Sequence, residues 1–143
     1  MKPETILKLE REFEQFPFLR AETAATEEEI EAASHAISVG LPLDYRHFLM
    51  RFGGAIVGAY PIFGLKPVAA MGNLWSVIEV NRRYRSDGWP SIEDWLVISA
   101  DAAGNPIGID GDGRIRLWDH DFGAVIEIAP NFDEFVIQCL RGT

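Results

Sequence analysis

Between Trp95 and Ile128 four short apolar runs alternate with three clusters of turn-forming residues, and that spacing admits little but an antiparallel meander. The runs are Trp95-Leu96-Val97-Ile98-Ser99, Pro106-Ile107-Gly108-Ile109-Asp110, Arg114-Ile115-Arg116-Leu117-Trp118 and Ala124-Val125-Ile126-Glu127-Ile128. Between them stand Asp101-Ala102-Ala103-Gly104-Asn105, Gly111-Asp112-Gly113 and His120-Asp121-Phe122-Gly123. Opposed residues in an antiparallel pair share a face, so a slip by one residue turns a core strand outward. A loop of Gly111-Asp112-Gly113 sets Ile109 opposite Ile115, Ile107 opposite Leu117 and Asp110 opposite Arg114. Such a loop wants a left-handed last residue, which Gly113 adopts without steric cost. A loop of His120 to Gly123 then pairs Leu117 with Ile126 and Ile115 with Ile128. The other face gains Arg116 opposite Glu127 and Trp118 opposite Val125. Leu96-Val97-Ile98 is apolar on both faces, which predicts a strand covered on both sides.

The rest of the chain supplies helices. Pro3 to Gln15 carries Ile6, Leu7, Leu9 and Phe13 as apolar members, and Pro17 stops it. Ala21 to Ala25 reads as a linker. Thr26-Glu27-Glu28-Glu29 is a capping box with an acidic first turn. Ile30, Ala33 and Ile37 follow at helical spacing, with Gly40 as the expected stop. Pro42 restarts a helix whose buried stripe is Tyr45, Phe48, Leu49 and Phe52, ended by Gly53-Gly54. Ala55 to Tyr60 and Ile62 to Leu65 read as a strand or hairpin. Met71 to Arg85 reads as a further helix, with Leu74, Val77 and Ile78 on one side and arginines at its end. Asn131 caps a last helix whose apolar face is Phe132, Phe135, Val136, Cys139 and Leu140. The predicted fold is α+β: a mostly antiparallel sheet flanked by helices. The expected boundaries are an N-terminal helix and linker over 1–25 and one α+β domain over 26–143, a length that suits one core.

Composition excludes some functions. A net charge of −9 disfavours nucleic acid and anionic membrane as direct partners and suits a basic protein. No apolar run is long enough to span a membrane, no signal-peptide core follows Met1, and Cys139 stands alone, so a cytoplasmic protein is expected.

The search for chemistry is nearly empty. His35, His47 and His120 have no metal-ligand spacing. Asp119-His120-Asp121 is the most suggestive triplet. It is open to two readings: a metal or small-molecule site, or a turn in which aspartates bond their own backbone. Asp110-Gly111-Asp112-Gly113 fails as a calcium loop, because its sixth and twelfth positions would be Ile115 and Asp121. There is no phosphate-binding glycine loop and no nucleophile elbow. The Arg82-Arg83-Tyr84-Arg85 cluster is expected to pair with carboxylates. No catalytic residue, metal or cofactor is predicted. Trp118 points away from the Ile115/Leu117 face, so it is either covered by another element or offered to a partner.

Two blocks of this sequence resemble the SUKH superfamily of bacterial immunity proteins and fungal cell-wall-assembly regulators. The first runs from Thr26-Glu27-Glu28-Glu29-Ile30 through Gly40-Leu41-Pro42-Leu43-Asp44-Tyr45 to Gly53-Gly54. The second holds Gly104-Asn105-Pro106-Ile107, Gly113-Arg114-Ile115, Trp118-Asp119-His120-Asp121 and Asn131-Phe132-Asp133-Glu134-Phe135. The N-terminal helix lies outside the resemblance, and Phe52 stands where the family often has Asn. The resemblance implies a protein-binding role without catalysis: neutralising a toxin domain of nuclease or deaminase class. Asp110, Asp112, Trp118, Asp119 and Asp121, at the hairpin turns, are the expected partner-binding residues.

Overall fold

The computed structural model describes residues 1–142, and its sheet follows directly from the meander. Strands β3 (Leu96–Ala100), β4 (Pro106–Ile109), β5 (Ile115–Asp119) and β6 (Ala124–Ala129) form one antiparallel sheet in chain order. Ile109 pairs with Ile115, Ile107 with Leu117, Leu117 with Ile126, Arg116 with Glu127 and Trp118 with Val125, as the loop lengths require. Gly113 closes its loop at φ +81°, and its N–H donates to the Asp110 carbonyl at 3.0 Å. One pair differs. Ile115 faces Ala129 instead of Ile128, because β6 bulges at Ile128 as the chain turns toward the last helix. A second bulge, at Ile98, offsets β3 from β4. β3 is buried along almost its whole length, as its two-faced apolar pattern requires.

The remaining elements are α1 (Pro3–Gln15), α2 (Glu27–Ile37), α3 (Leu43–Phe52), β1 (Ala55–Val57), β2 (Tyr60–Ile62), α4 (Val77–Ser86) and α5 (Phe132–Arg141). The Thr26 capping box is intact on both sides, and Asn131 caps α5 through the Glu134 N–H at 2.9 Å. The end of α2 is a correction. Ser38, not Gly40, takes the left-handed conformation, with its N–H on the His35 carbonyl and the Val39 N–H on Ser34. That bond pair is the Schellman closure, and the Ser34 hydroxyl adds a third bond to the Val39 carbonyl. The start of α4 is another. The helix begins at Val77, capped by Ser76, because Trp75 and Ser76 are held extended in a bridge to Gly64. Leu74 is therefore outside the helix and half exposed, and Leu7 of α1 also faces solvent.

Phe63, Gly64 and Leu65 leave β2 and connect most of these parts through their backbone. The Phe63 N–H donates to Ile98 of β3 at 2.8 Å, and its carbonyl accepts the buried Tyr45 hydroxyl of α3 at 2.5 Å. The Gly64 N–H donates to Trp75 at 2.8 Å, and its carbonyl accepts from Val77 at 2.9 Å. The Leu65 N–H reaches Gly53, at the end of α3, at 2.9 Å. The approach is so close that a Cβ on Gly64 would lie 2.0 Å from the Gly53 carbonyl oxygen. Asn81 of α4 adds a buried clamp: its amide donates to the Val77 and Val97 carbonyls and accepts the Val97 N–H at 2.9 Å.

α1 shares the same core. Leu9 and Phe13 are buried, and the Phe13 ring meets Phe52 edge-on at 5.1 Å between centroids. Thr5 and the Lys2 N–H both donate to the buried carboxylate of Asp133, which ties α1 to α5.

Two substitutions test this frame by thermal or urea denaturation. Gly64→Ala should cost about 3 kcal/mol, the upper end for overpacking, because backbone and not a flexible side chain blocks the new methyl. Gly113→Val should cost roughly 1–2 kcal/mol through its left-handed φ alone, since nothing crowds that site. A Gly64→Ala protein as stable as the parent would contradict the close approach.

Candidate protein-binding surface

The five acid and aromatic residues singled out by sequence fall into two groups. β5 runs between them. Asp110 and Asp112 lie at its start, and Trp118, Asp119 and Asp121 at its end, about 16 Å away for a five-residue strand. Asp110 also does not stand free. Its carboxylate accepts from the Asp112 and Arg114 N–H groups and pairs with the Arg116 guanidinium at 2.5 Å. Partial burial raises this carboxyl, but the Arg116 bond and the two backbone donors outweigh it and hold the group below the usual aspartate range. Asp110 therefore shapes its loop, while Asp112 remains exposed.

The Asp119 end is the richer one, because three loops converge there. Asn105, buried at the start of β4, organises them. Its side-chain oxygen accepts the His120 N–H at 3.0 Å and also meets the His120 ring nitrogen Nδ1. Its amide donates to Asp101, whose other carboxylate oxygen accepts the Ala103 and Asn105 N–H groups. Tyr84 of α4 donates to the Gly104 carbonyl at 2.8 Å, and Trp89 stacks edge-on against both Tyr84 and His120. Burial, then the Asp101 charge, raises the Tyr84 hydroxyl above its ordinary pKa. Asp119 follows the turn reading: its carboxylate accepts the Asp121 and Phe122 N–H groups.

What this end offers outward is aromatic and acidic. Trp118 is half-buried and lines a depression of about 460 Å³ with Trp89, Pro90 and His120. Asp121 has 72% of its side chain exposed, and Phe122 is 82% exposed. Across the 101–104 loop lies an apolar groove of about 470 Å³ between the β1–β2 hairpin and α4, lined by Pro61, Phe63, Met71 and Leu74 with Arg83 beside it. Among the described residues, only Arg82 of the arginine cluster finds a carboxylate, Glu79 at 3.1 Å. Arg85 instead donates to the Ile37 and Trp95 carbonyls.

Among the described residues, no three His, Cys, Asp or Glu side chains stand where they could share a metal ion. Burial pushes the Cys139 thiol up to about 12, which leaves it a core residue and a poor nucleophile. No helix among the described residues is long and apolar enough to cross a membrane.

Sequence reasoning named Asn105 only within a motif and missed its role, because its partners lie 4 and 15 residues away on other loops. Phe122 was legible only as a loop residue. Asp110 gives a pH test. A carboxyl whose folded pKa lies below its unfolded value stabilises the fold above the ordinary range of about 3.9 and loses that contribution as pH falls through the folded value. The melting-temperature gap between the parent and Asp110→Asn should therefore be constant near neutral pH and close as pH falls below about 4. A gap that widens in acid would contradict the Arg116 pairing.

No curated protein sequence matches the chain at a significant level. The sequence model of the SMI1 / KNR4 family (SUKH-1) does match, over residues 24–138, which covers every strand of both sheets and all helices but α1, with α5 matched through Gln138. The α+β architecture and the two motif blocks agree with that match, and the chain belongs to the SMI1 / KNR4 family (SUKH-1).

Proposed function

We propose that this chain is a non-enzymatic immunity protein of the cytoplasm that binds and neutralises a bacterial toxin domain of nuclease or deaminase class. Membership of SUKH-1 supports a protein-binding immunity or regulator module. The observation that carries the finer reading is the tip of the β5–β6 hairpin. Phe122 and half-buried Trp118 supply apolar contact area, and exposed Asp121 supplies charge, on loops pinned from beneath by Asn105. Aromatic residues on a rigid support bind with little loss of conformational freedom. A toxin that acts on nucleic acid presents a basic surface. An acidic tip on a chain of net charge −9 competes for that surface and speeds encounter.

In this reading Asp121, Trp118 and Phe122 touch the toxin. Asp119 and Asp110 keep their loops in shape, and Asp112 lies at the far end of β5, outside the contact. The test is co-expression and binding with the toxin domain encoded beside this gene. Asp121→Lys and Phe122→Ala should each weaken binding by roughly 1–2 kcal/mol, mostly in the off-rate for Phe122→Ala and the on-rate for Asp121→Lys. Asp112→Lys should bind like the parent. Association should slow as salt rises. Equal binding by all three variants would place the interface elsewhere.

A further inference from the structure

The sheet ends on β6, and its outer edge is left open. Among the described residues no strand lies beyond it. Proteins usually blunt such an edge with a lysine, a proline, a bulge or a covering element, because its unpaired N–H and C=O groups would otherwise recruit another strand. β6 has its devices only at the far end. The bulge at Ile128 and the turn into α5 protect Ile128 and Ala129. Ala124 to Glu127 pairs regularly with β5 and is exposed throughout. This stretch holds no lysine or proline. Its one charge, Glu127, is already engaged by Arg114 at 3.1 Å and by Arg116 at 3.8 Å. Val125, 39% exposed, and Ile126, 44% exposed, leave apolar surface on opposite faces of the strand.

We infer that the Ala124–Glu127 edge is a docking strand, to which a protein partner adds an extended segment of alternating apolar and basic residues. The inference rests on the protein-binding reading above and specifies what the partner contributes. Strand addition gives main-chain hydrogen bonds, and alternate side chains give specificity. Apolar residues of the added strand would continue the Leu117/Ile126 face. Basic residues on the other face would lay their stems along Val125 and carry their charges toward Asp121 and Glu127. Charge also decides between occupants. A second copy would bring another −9 and the same acidic tip, whereas a basic strand is complementary.

The test is an NMR titration of the isotopically labelled full chain with the peptide acetyl-Lys-Val-Lys-Val-Lys-Val-amide at up to millimolar concentration. A control peptide has the same side chains but methylated alternate backbone nitrogens. Strand addition predicts shifts and slowed amide exchange at Ala124 to Glu127. It also predicts binding about tenfold weaker for the methylated peptide, which lacks the main-chain donors. Ile126→Lys, at an exposed position, should weaken the parent peptide about as much while leaving the rest of the spectrum unchanged. Several outcomes overturn the inference: no response at β6, equal binding of the two peptides, or shifts confined to Asp112, Asp119 and Asp121. The last two mean diffuse electrostatic attraction, and the toxin-binding proposal would stand without strand addition. Shifts at Ala124 to Glu127 that grow with protein concentration alone would assign the edge to a second copy.

Discussion

Three consecutive residues, Phe63-Gly64-Leu65, join the parts of this protein that no single element could hold together. Their backbone groups bond to β3, to the Tyr45 hydroxyl of α3 and Gly53 just after it, and to the start of α4. A buried backbone group without a partner costs about as much as a lost hydrogen bond, so each of these five bonds is obligatory as well as favourable. The segment cannot shift to suit one neighbour without breaking bonds to the others. That fixes the small β1–β2 sheet against the meander and sets where α4 can begin.

The loops that carry the proposed contact are held by a related device. Buried or half-buried polar side chains reach between elements and satisfy backbone groups that regular structure leaves open. Asn81 does so between α4 and β3, Asn105 between the two loops at the end of the sheet, and Asp133 between α5 and α1. Each is a short side chain with several donors or acceptors used at once, which fixes orientation more strictly than apolar packing does. The exposed Phe122 and Asp121 thus sit on a supported turn. The edge of β6 beside them carries no comparable covering.

Local physics made much of this legible. The register of β4, β5 and β6 followed from loop length and alternation, since a two-residue turn at Gly111-Asp112 would have set Ile109 opposite Arg114 and mixed the two faces. The Thr26 capping box, the Asn131 cap and the Tyr45–Phe52 stripe were readable for the same reason: cause and effect lie within about four residues. Most corrections came where a distant partner decided. One correction is local: Gly40 was the expected stop of α2, but the chain turns two residues earlier at Ser38, where the Ser34 and His35 carbonyls close the helix. The expected helix start at Met71 is delayed to Val77, because Met71 closes a 3-10 turn and Trp75 and Ser76 are drawn extended toward Gly64. Ile128 lost its place opposite Ile115 to a bulge. The expected partner-binding residues lie at the two ends of β5, and the one at its start, Asp110, is held by Arg116. α1, outside the family match, shares the core through Phe13 on Phe52.

Native-state hydrogen exchange tests the central claim most directly. If Phe63, Gly64 and Leu65 are the junction on which the fold depends, no local opening can free their amides. Their exchange should then require global unfolding, with the opening free energy and denaturant dependence of the whole molecule. Exchange of these three amides through a low-energy opening insensitive to denaturant, while the meander stays protected, would contradict the account.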